Sequence, residues 1–237
     1  MKSIVEPSYP VSLTWWDGRL ENFKKDQQVH ANGSVQFIQK LLNETPADSL
    51  FIDIGANVGF MTRYAISQKR QVIAVEPIGY NIAKLCEGLR AHPPSLNSFM
   101  KLYHAAAGPS YLPNVDITRP SDKVGFFDQS SLSRNAVLQG DVVTEHIPLV
   151  AVDSLVTSSQ NVAVVKIDVK GHEYGVVQGM KELLSRPKGS APHVFYEEAP
   201  TLIKKAGQQP GAVKQFLEND FRYICKDAGT GDMICSK

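Results

Sequence analysis

The sequence predicts an α/β fold, a doubly wound, Rossmann-like sheet that is mostly parallel with one reversed strand. Three observations carry this. Short apolar runs alternate with amphipathic helical stretches along most of the chain. The first of those runs, Leu50–Ile54, passes directly into a turn punctuated by Gly55 and Gly59. At the far end, Phe221–Cys225 and Asp232–Cys235 flank Lys226–Gly231, which carries Gly229 and Gly231, and read as an antiparallel pair.

Taken in order, residues 1–34 form an N-terminal arm in which Trp15-Trp16 and the polar stretch Glu21–His30 cover either an edge of the fold or a substrate. The main domain is expected over 35–237. Val35–Glu44 is a helix by the spacing of Val35, Phe37, Ile38, Leu41 and Leu42, and Thr45-Pro46-Ala47-Asp48 breaks it. Leu50–Ile54 is a buried strand, Val58–Ser67 a helix and Gln71–Val75 a second strand ending in Glu76-Pro77. Asn81–Ala91 is an amphipathic helix stopped by His92-Pro93-Pro94, and Ser98–Ala105 is the third strand. From 108 to 149 the helical rhythm is lost. This irregular insert holds alternating pieces, Asn114–Thr118 and Thr144–Val150, that suggest an added hairpin; such inserts serve as lids and substrate walls or as decoration. Ala151–Val156 is a helix or turn. Asn161–Val169 is a strong buried strand, His172–Leu184 a helix, His193–Glu197 a strand and Val213–Glu218 a helix.

Composition excludes several classes. With 25 basic and 24 acidic residues in 237, no global field favours nucleic acid. No apolar run spans a bilayer and no signal-peptide core opens the chain, so a cytoplasmic location is expected. Cys86, Cys225 and Cys235 show no metal-ligand spacing and read as reduced thiols or small apolar fillers.

The chemistry concentrates in Phe51–Phe60. Gly55 permits backbone angles closed to other residues and lets a ligand approach the main chain, and Gly59 lets the next helix pack close to the strand. An acid about 20 residues past a glycine turn is placed to hold ribose hydroxyls, and Glu76 is that acid. A dinucleotide site would show GxGxxG and bare a helix N-terminus to a pyrophosphate. Here the pattern is GxxxG, and Asp53 puts a carboxylate where a pyrophosphate is unwelcome. That carboxylate suits the ammonium of S-adenosylmethionine.

Read together, FIDIGANVGF, VIAVEP with Asn81, HAAAG, SSL at Ser130–Leu132, VAVDSL, VKIDVKGHEYGVVQGM and VFYEE resemble, in that order, the FkbM family of methyltransferases. The resemblance runs from about Phe37 to Lys237. It implies the seven-stranded class I methyltransferase fold, bound S-adenosylmethionine and methylation of a hydroxyl on a small-molecule, sugar or glycan-like acceptor. Where the family often has an acid, this chain has Lys170, which weakens any mechanism built on three clustered carboxylates or a divalent metal.

The cofactor site expected on this basis comprises Asp53, Gly55, Ala56, Asn57, Gly59, Glu76, Pro77, Ala106 and Asp168, with no metal. Methyl transfer from a sulfonium needs the acceptor oxygen positioned and its proton removed. Asp168, His172, Glu173 and Glu197 stand at strand ends on the cofactor side. Asp168 is placed to orient the acceptor or to meet the cofactor amine. His172 is a base or a solvated neighbour of a helix cap, and Glu173 is catalytic or stabilises a helix N-terminus. Strand alternation turns one of Glu197 and Glu198 to the pocket, and the family pattern points to Glu197. A rival reading is a scaffold or assembly subunit without turnover, which labelled S-adenosylmethionine binding distinguishes. A base-directed methyltransferase is disfavoured because no Asn/Asp-Pro-Pro-Tyr motif is present.

Overall fold

The computed structural model describes residues 36–90, 98–121, 130–133, 142–229 and 231–237. The expected arm over 1–34 lies outside them. The described chain opens with helix α1 (36–43), whose Ile38, Leu41 and Leu42 are buried. Strand β1 (Leu50–Ile54), helix α2 (Phe60–Ser67), strand β2 (Val72–Glu76), helix α3 (Gly79–Arg90) and strand β3 (Met100–His104) follow. After the insert come β7 (Val162–Ile167), short helices α4 (Glu173–Gln178) and α5 (Lys181–Ser185), β8 (His193–Glu197), α6 (Pro200–Lys205), α7 (Ala212–Phe221), β9 (Ile224–Asp227) and β10 (Asp232–Ser236).

The main sheet has seven strands in the order β3-β2-β1-β7-β8-β10-β9. β10 runs antiparallel to both neighbours, β8 and β9, while the other pairings described in this sheet are parallel. Only β10 is reversed, as the closing hairpin predicts. Successive residues of β1 point to opposite faces, so Phe51 joins one core and Ile52 and Ile54 the other. Helices α1, α2 and α3 cover the first face through Leu42, Ile66 and Leu85. The second is covered by α4, α5 and α7 through Val176, Val177, Leu183 and Leu217. Each of these side chains is at most 1% exposed, and burying a residue of that size contributes about 1.5–3 kcal/mol.

The insert is more regular than its turn-rich sequence suggests. Strand β4 (Ala106–Ala107) pairs parallel with β6 (Val142–Val150), and β6 pairs antiparallel with β5 (Leu112–Pro120). This three-stranded sheet has its own small core of Ile78, Ala106, Ile117, Ile147 and Leu149. A 3₁₀ turn, Val152–Leu155, returns the chain to β7.

Three helical expectations change. The single helix expected over 172–184 is two, α4 ending at Gln178 and α5 starting at Lys181, with Gly179 packed against Gly108, whose carbonyl oxygen would sit 2.0 Å from any added Cβ. A break at that contact cannot be read from periodicity alone. Helix α6 is additional; Pro200 at its first turn starts it. The close packing expected of Gly59 extends to Leu85 of α3, whose side chain would meet any added Cβ, while Thr62 of α2 bonds Asp53 of β1.

The cysteine reading is also corrected. Cys225 and Cys235 stand directly opposite in the β9–β10 register and form a disulfide that does not include Cys86. Their spacing along the chain carries no such signal; the hairpin register creates it.

Candidate active site

The chain builds outward from β1 through β2 to β3, then crosses back to β7 on the opposite side of β1. The point where strand order reverses, at the carboxyl ends of β1 and β7, is where α/β sheets open a crevice. A cleft lies there. Gly55, Asn57, Glu76 and Pro77 line one side and Asp168, Lys170 and His172 another, while Ala105–Ala107, Ile117 and Ser130–Leu132 form a wall from β4, β5 and the segment after it.

Gly55 has φ +74°, and a Cβ on it would lie 2.0 Å from the carbonyl oxygen of Asp168. Only glycine lets the end of β1 sit this close to the end of β7. The Asp168 N–H donates to the Ile54 carbonyl at 3.0 Å and locks the same junction. Asn57 is also left-handed, with φ 52°. Its N–H donates to Glu76 Oε2 at 2.8 Å, and its buried Oδ1 has no hydrogen-bond partner among the described residues.

Glu76 is 2% exposed. Its Oε1 accepts from the Ile78 N–H at 3.0 Å and from Asn81 Nδ2 at 2.9 Å. Burial pushes its pKa up to about 7, against the pull of those donors.

Beneath the cleft and up to its edge runs a row of alternating charges. Asp53 is fully buried; Thr62 Oγ1 donates to its Oδ2 at 2.7 Å, and Lys166 Nζ is 3.1 Å from its Oδ1. Lys166 Nζ also donates to the Gly55 carbonyl at 2.7 Å and stands 4.0 Å from Asp168 Oδ2. Asp168 Oδ1 is 2.8 Å from Lys170 Nζ, which bonds Glu197 Oε2 at 3.1 Å. Burial works against charge throughout this row. For Lys166, Asp53 and Asp168 outweigh it and raise the pKa. For Asp168, Lys170 and Lys166 outweigh it and hold the carboxyl below its ordinary value. Lys170 is raised by Asp168 and Glu197 despite its burial. For Glu197, burial and the neighbouring Asp168 prevail over Lys170 and push the carboxyl up to about 7.

This row corrects the expectation for Asp53, and the contacts of Glu173 favour one of its two expected roles. Asp53 does not line the cleft, and its carboxylate is engaged by Thr62 and Lys166, so it is not bared to a cofactor ammonium. Glu173 is 2% exposed and clamps the turn before α4, accepting from the N–H groups of Val169 and Gly171 at 3.0 and 3.1 Å. It stabilises the start of that helix and does not line the cleft. Ala56 and Gly59 shape the turn without lining the cleft, whereas Pro77 and Ala106 line it. Glu198 is turned away to the Gly211 N–H at 2.8 Å, and Glu197 reaches the cleft's edge through Lys170.

His172 lines the cleft, and its buried Nε2 has no hydrogen-bond partner among the described residues. Burial lowers its pKa, so the ring is neutral at pH 7. Lys166 was not anticipated. Its signal was there to be read: a lysine inside the otherwise apolar run VAVVKI needs a buried acid beside it.

These residues fit a nucleoside cofactor with a charged amino-acid end. The glycine turn brings bare backbone to the cleft, Asn57 Oδ1 offers an unused acceptor, Glu76 stands at the next strand end, and Ala105–Ala107 leave room for a flat ring. Among the described residues no group of three or more His, Cys, Asp or Glu is arranged to hold a metal, and no helix is long and apolar enough to cross a membrane.

Comparison with known proteins gives one family match: the model described as the Methyltransferase FkbM domain fits residues 53–224. No curated protein matches the sequence. Among solved structures, the chain is similar to a TehB-like SAM-dependent methyltransferase from Corynebacterium glutamicum, with TM-score 0.43 and 9% identity over 91% of this chain and 95% of that one. It is also similar to the N-methyltransferase NodS from Bradyrhizobium japonicum in complex with S-adenosyl-L-homocysteine, with TM-score 0.45 and 9% identity over 97% and 92%.

Proposed function

We propose, from the premise that this chain belongs to the FkbM family of methyltransferases and takes its methyl group from S-adenosylmethionine, that it methylates an oxygen: the hydroxyl of a small-molecule, sugar or glycan-like acceptor. When bound, the cofactor supplies a methyl carbon on a positively charged sulfur, already activated for displacement. Glu76 would take a ribose hydroxyl, Pro77 and Ala106 would flank the adenine, and Gly55, Asn57 and Asp168 would face the amino-acid end. What remains for the chain's other residues is to orient the acceptor and to remove its proton.

The observation that carries this reading is the His172 Nε2, buried in the cleft wall and without a hydrogen-bond partner among the described residues. A neutral imidazole there is suited to accept a hydroxyl proton. Asp168 is a poor base because Lys170, in an ion pair with its Oδ1, and Lys166 keep it ionised. It serves better as an orienting group. Glu197, raised to about 7, is the second candidate base, although its Oε2 is held by Lys170. The reading needs no divalent metal, since Lys170 stands as a cation between the two carboxylates; like charge repels a metal ion, and hard cations require several oxygen ligands.

The test is transfer of labelled methyl from S-adenosylmethionine to matched hydroxyl and amine acceptors, with and without EDTA. Hydroxyl-selective, EDTA-resistant transfer is expected. With a base whose pKa is lowered from the ordinary His value of 6.5, kcat/KM should stay level through neutrality and decline only below that value. His172→Gln should slow turnover roughly 10²–10⁴-fold and remove that acid limb. An unaltered pH profile in the variant eliminates His172 and leaves Glu197; activity restored by Mg²⁺ after EDTA refutes the metal-free reading.

A further inference from the structure

We propose that Lys170 is itself a catalytic group, donating a hydrogen bond to the acceptor oxygen and stabilising the negative charge that this oxygen gains as its proton leaves. This rests on the oxygen-methylation reading. A lysine ammonium has three donors and no acceptor. Among the described residues, two of them are directed at carboxylates, one hydrogen-bonded to Glu197 Oε2 at 3.1 Å and one in an ion pair with Asp168 Oδ1 at 2.8 Å. The third is unspent, and Lys170 lines the cleft beside His172.

The backbone beneath this ammonium is fixed from two sides. Lys170 is left-handed at φ 55°, and its carbonyl accepts the Ser131 hydroxyl at 3.4 Å. Ser131 is 2% exposed and exchanges both backbone hydrogen bonds with Thr118 of β5, each 3.0 Å. Gly171 follows at φ 102°, where a Cβ would lie 2.7 Å from the Leu202 carbonyl of α6. A turn pinned by β5 and α6 holds the side chain with little freedom to reorganise during the reaction, which is what electrostatic preorganisation requires. The two carboxylates keep the group cationic and aim it; they offset part of its field, so the contribution left is the directed third hydrogen bond.

The chemistry balances without a further reactant. As the acceptor O–H bond breaks, its proton passes to His172 Nε2. The oxygen pair so freed forms the new O–C bond to the transferred methyl, and the electron pair of the broken C–S bond stays on sulfur. Lys170 keeps its three protons throughout. Because a donor-only group must meet a lone pair, the same residue also selects for oxygen: a hydroxyl can accept this hydrogen bond on one lone pair and attack with another, whereas a neutral amine has a single lone pair and a protonated amine has none.

The experiment compares wild type, Lys170→Met and Lys170→Arg with labelled S-adenosylmethionine and acceptors of graded acidity, from aliphatic alcohols to nitrophenols, plus primary amines. S-adenosylhomocysteine affinity and thermal melting are measured for each variant. Removing one such donor is expected to lower kcat on the order of 10²–10³-fold for aliphatic alcohols. The loss should shrink as the acceptor grows more acidic, since an oxygen that ionises readily needs the cation less. Lys170→Arg, which keeps a cationic donor, should recover part of the rate, and cofactor-product affinity should stay within about threefold. An equal loss across all acceptors, or alcohol turnover in Lys170→Met close to wild type, overturns the proposal while leaving oxygen methylation intact. Wild-type transfer to amines but to no hydroxyl overturns the underlying reading itself.

Discussion

Glu76 offers the sharpest test of the cofactor site, because the structure limits what it can still bind. A carboxylate has about four lone-pair positions. Three are taken: Oε1 by the Ile78 N–H and by Asn81 Nδ2, and Oε2 by the Asn57 N–H. Among the described residues, one position remains for a ribose hydroxyl. A charge-assisted hydrogen bond contributes roughly 1.5–3 kcal/mol. Glu76→Gln should therefore weaken S-adenosylhomocysteine binding about 10- to 150-fold and no further. Isothermal titration calorimetry measures it, with a thermal melt to confirm that the Gly55 turn survives. The wild type carries an internal pH control. Its free carboxyl sits at about 7, and the bound hydroxyl favours the ionised form. Affinity should then be highest above pH 7 and fall as pH drops through 7, with proton release on binding at the acid side; Glu76→Gln should lack this dependence. Equal affinity in variant and wild type, at pH 8, would refute the assignment of Glu76 to the ribose.

Further perturbations test the frame around the site. Gly55→Ala forces a Cβ to 2.0 Å from the Asp168 carbonyl at a φ of +74°, so denaturant midpoints should report a loss of about 3 kcal/mol or more; a loss under about 1 kcal/mol contradicts the β1–β7 junction. Thiol titration of the unfolded, unreduced chain should find one reactive cysteine, Cys86, and three after reduction, while Cys225→Ala with Cys235→Ala should cost about 3 kcal/mol from the entropy of a loop closed over 10 residues. Shortening the connection between β5 and β6 should spare cofactor affinity and abolish transfer, because the insert is expected on the acceptor side; lost cofactor binding in a folded variant counts against that.

Much of this molecule was legible in one dimension. The strand at Leu50–Ile54, the glycine turn after it, Glu76 at the next strand end and the reversed closing strand all follow from local rules. A buried strand needs consecutive bulky residues, a positive φ needs glycine, and a hairpin needs its turn residues. Such constraints act over a few neighbouring residues, so the sequence states them directly. His172 and Asp168 could likewise be placed at a strand end without knowing what surrounds them.

The partners of the charged groups were decided only by the tertiary structure. Asp53 and Lys166 lie on strands distant in sequence and adjacent in space, and their pairing turns an expected cofactor ligand into a buried support for Gly55. The sequence left Glu173 either catalytic or stabilising a helix N-terminus, and the turn at Val169–Gly171, folding back to consume its carboxylate, favours the second. The Cys225–Cys235 bond depends on the β9–β10 register. The physical reason is common to all three. Whether a polar group is free for chemistry depends on which donors and acceptors surround it once water is excluded, and those neighbours arrive from across the fold.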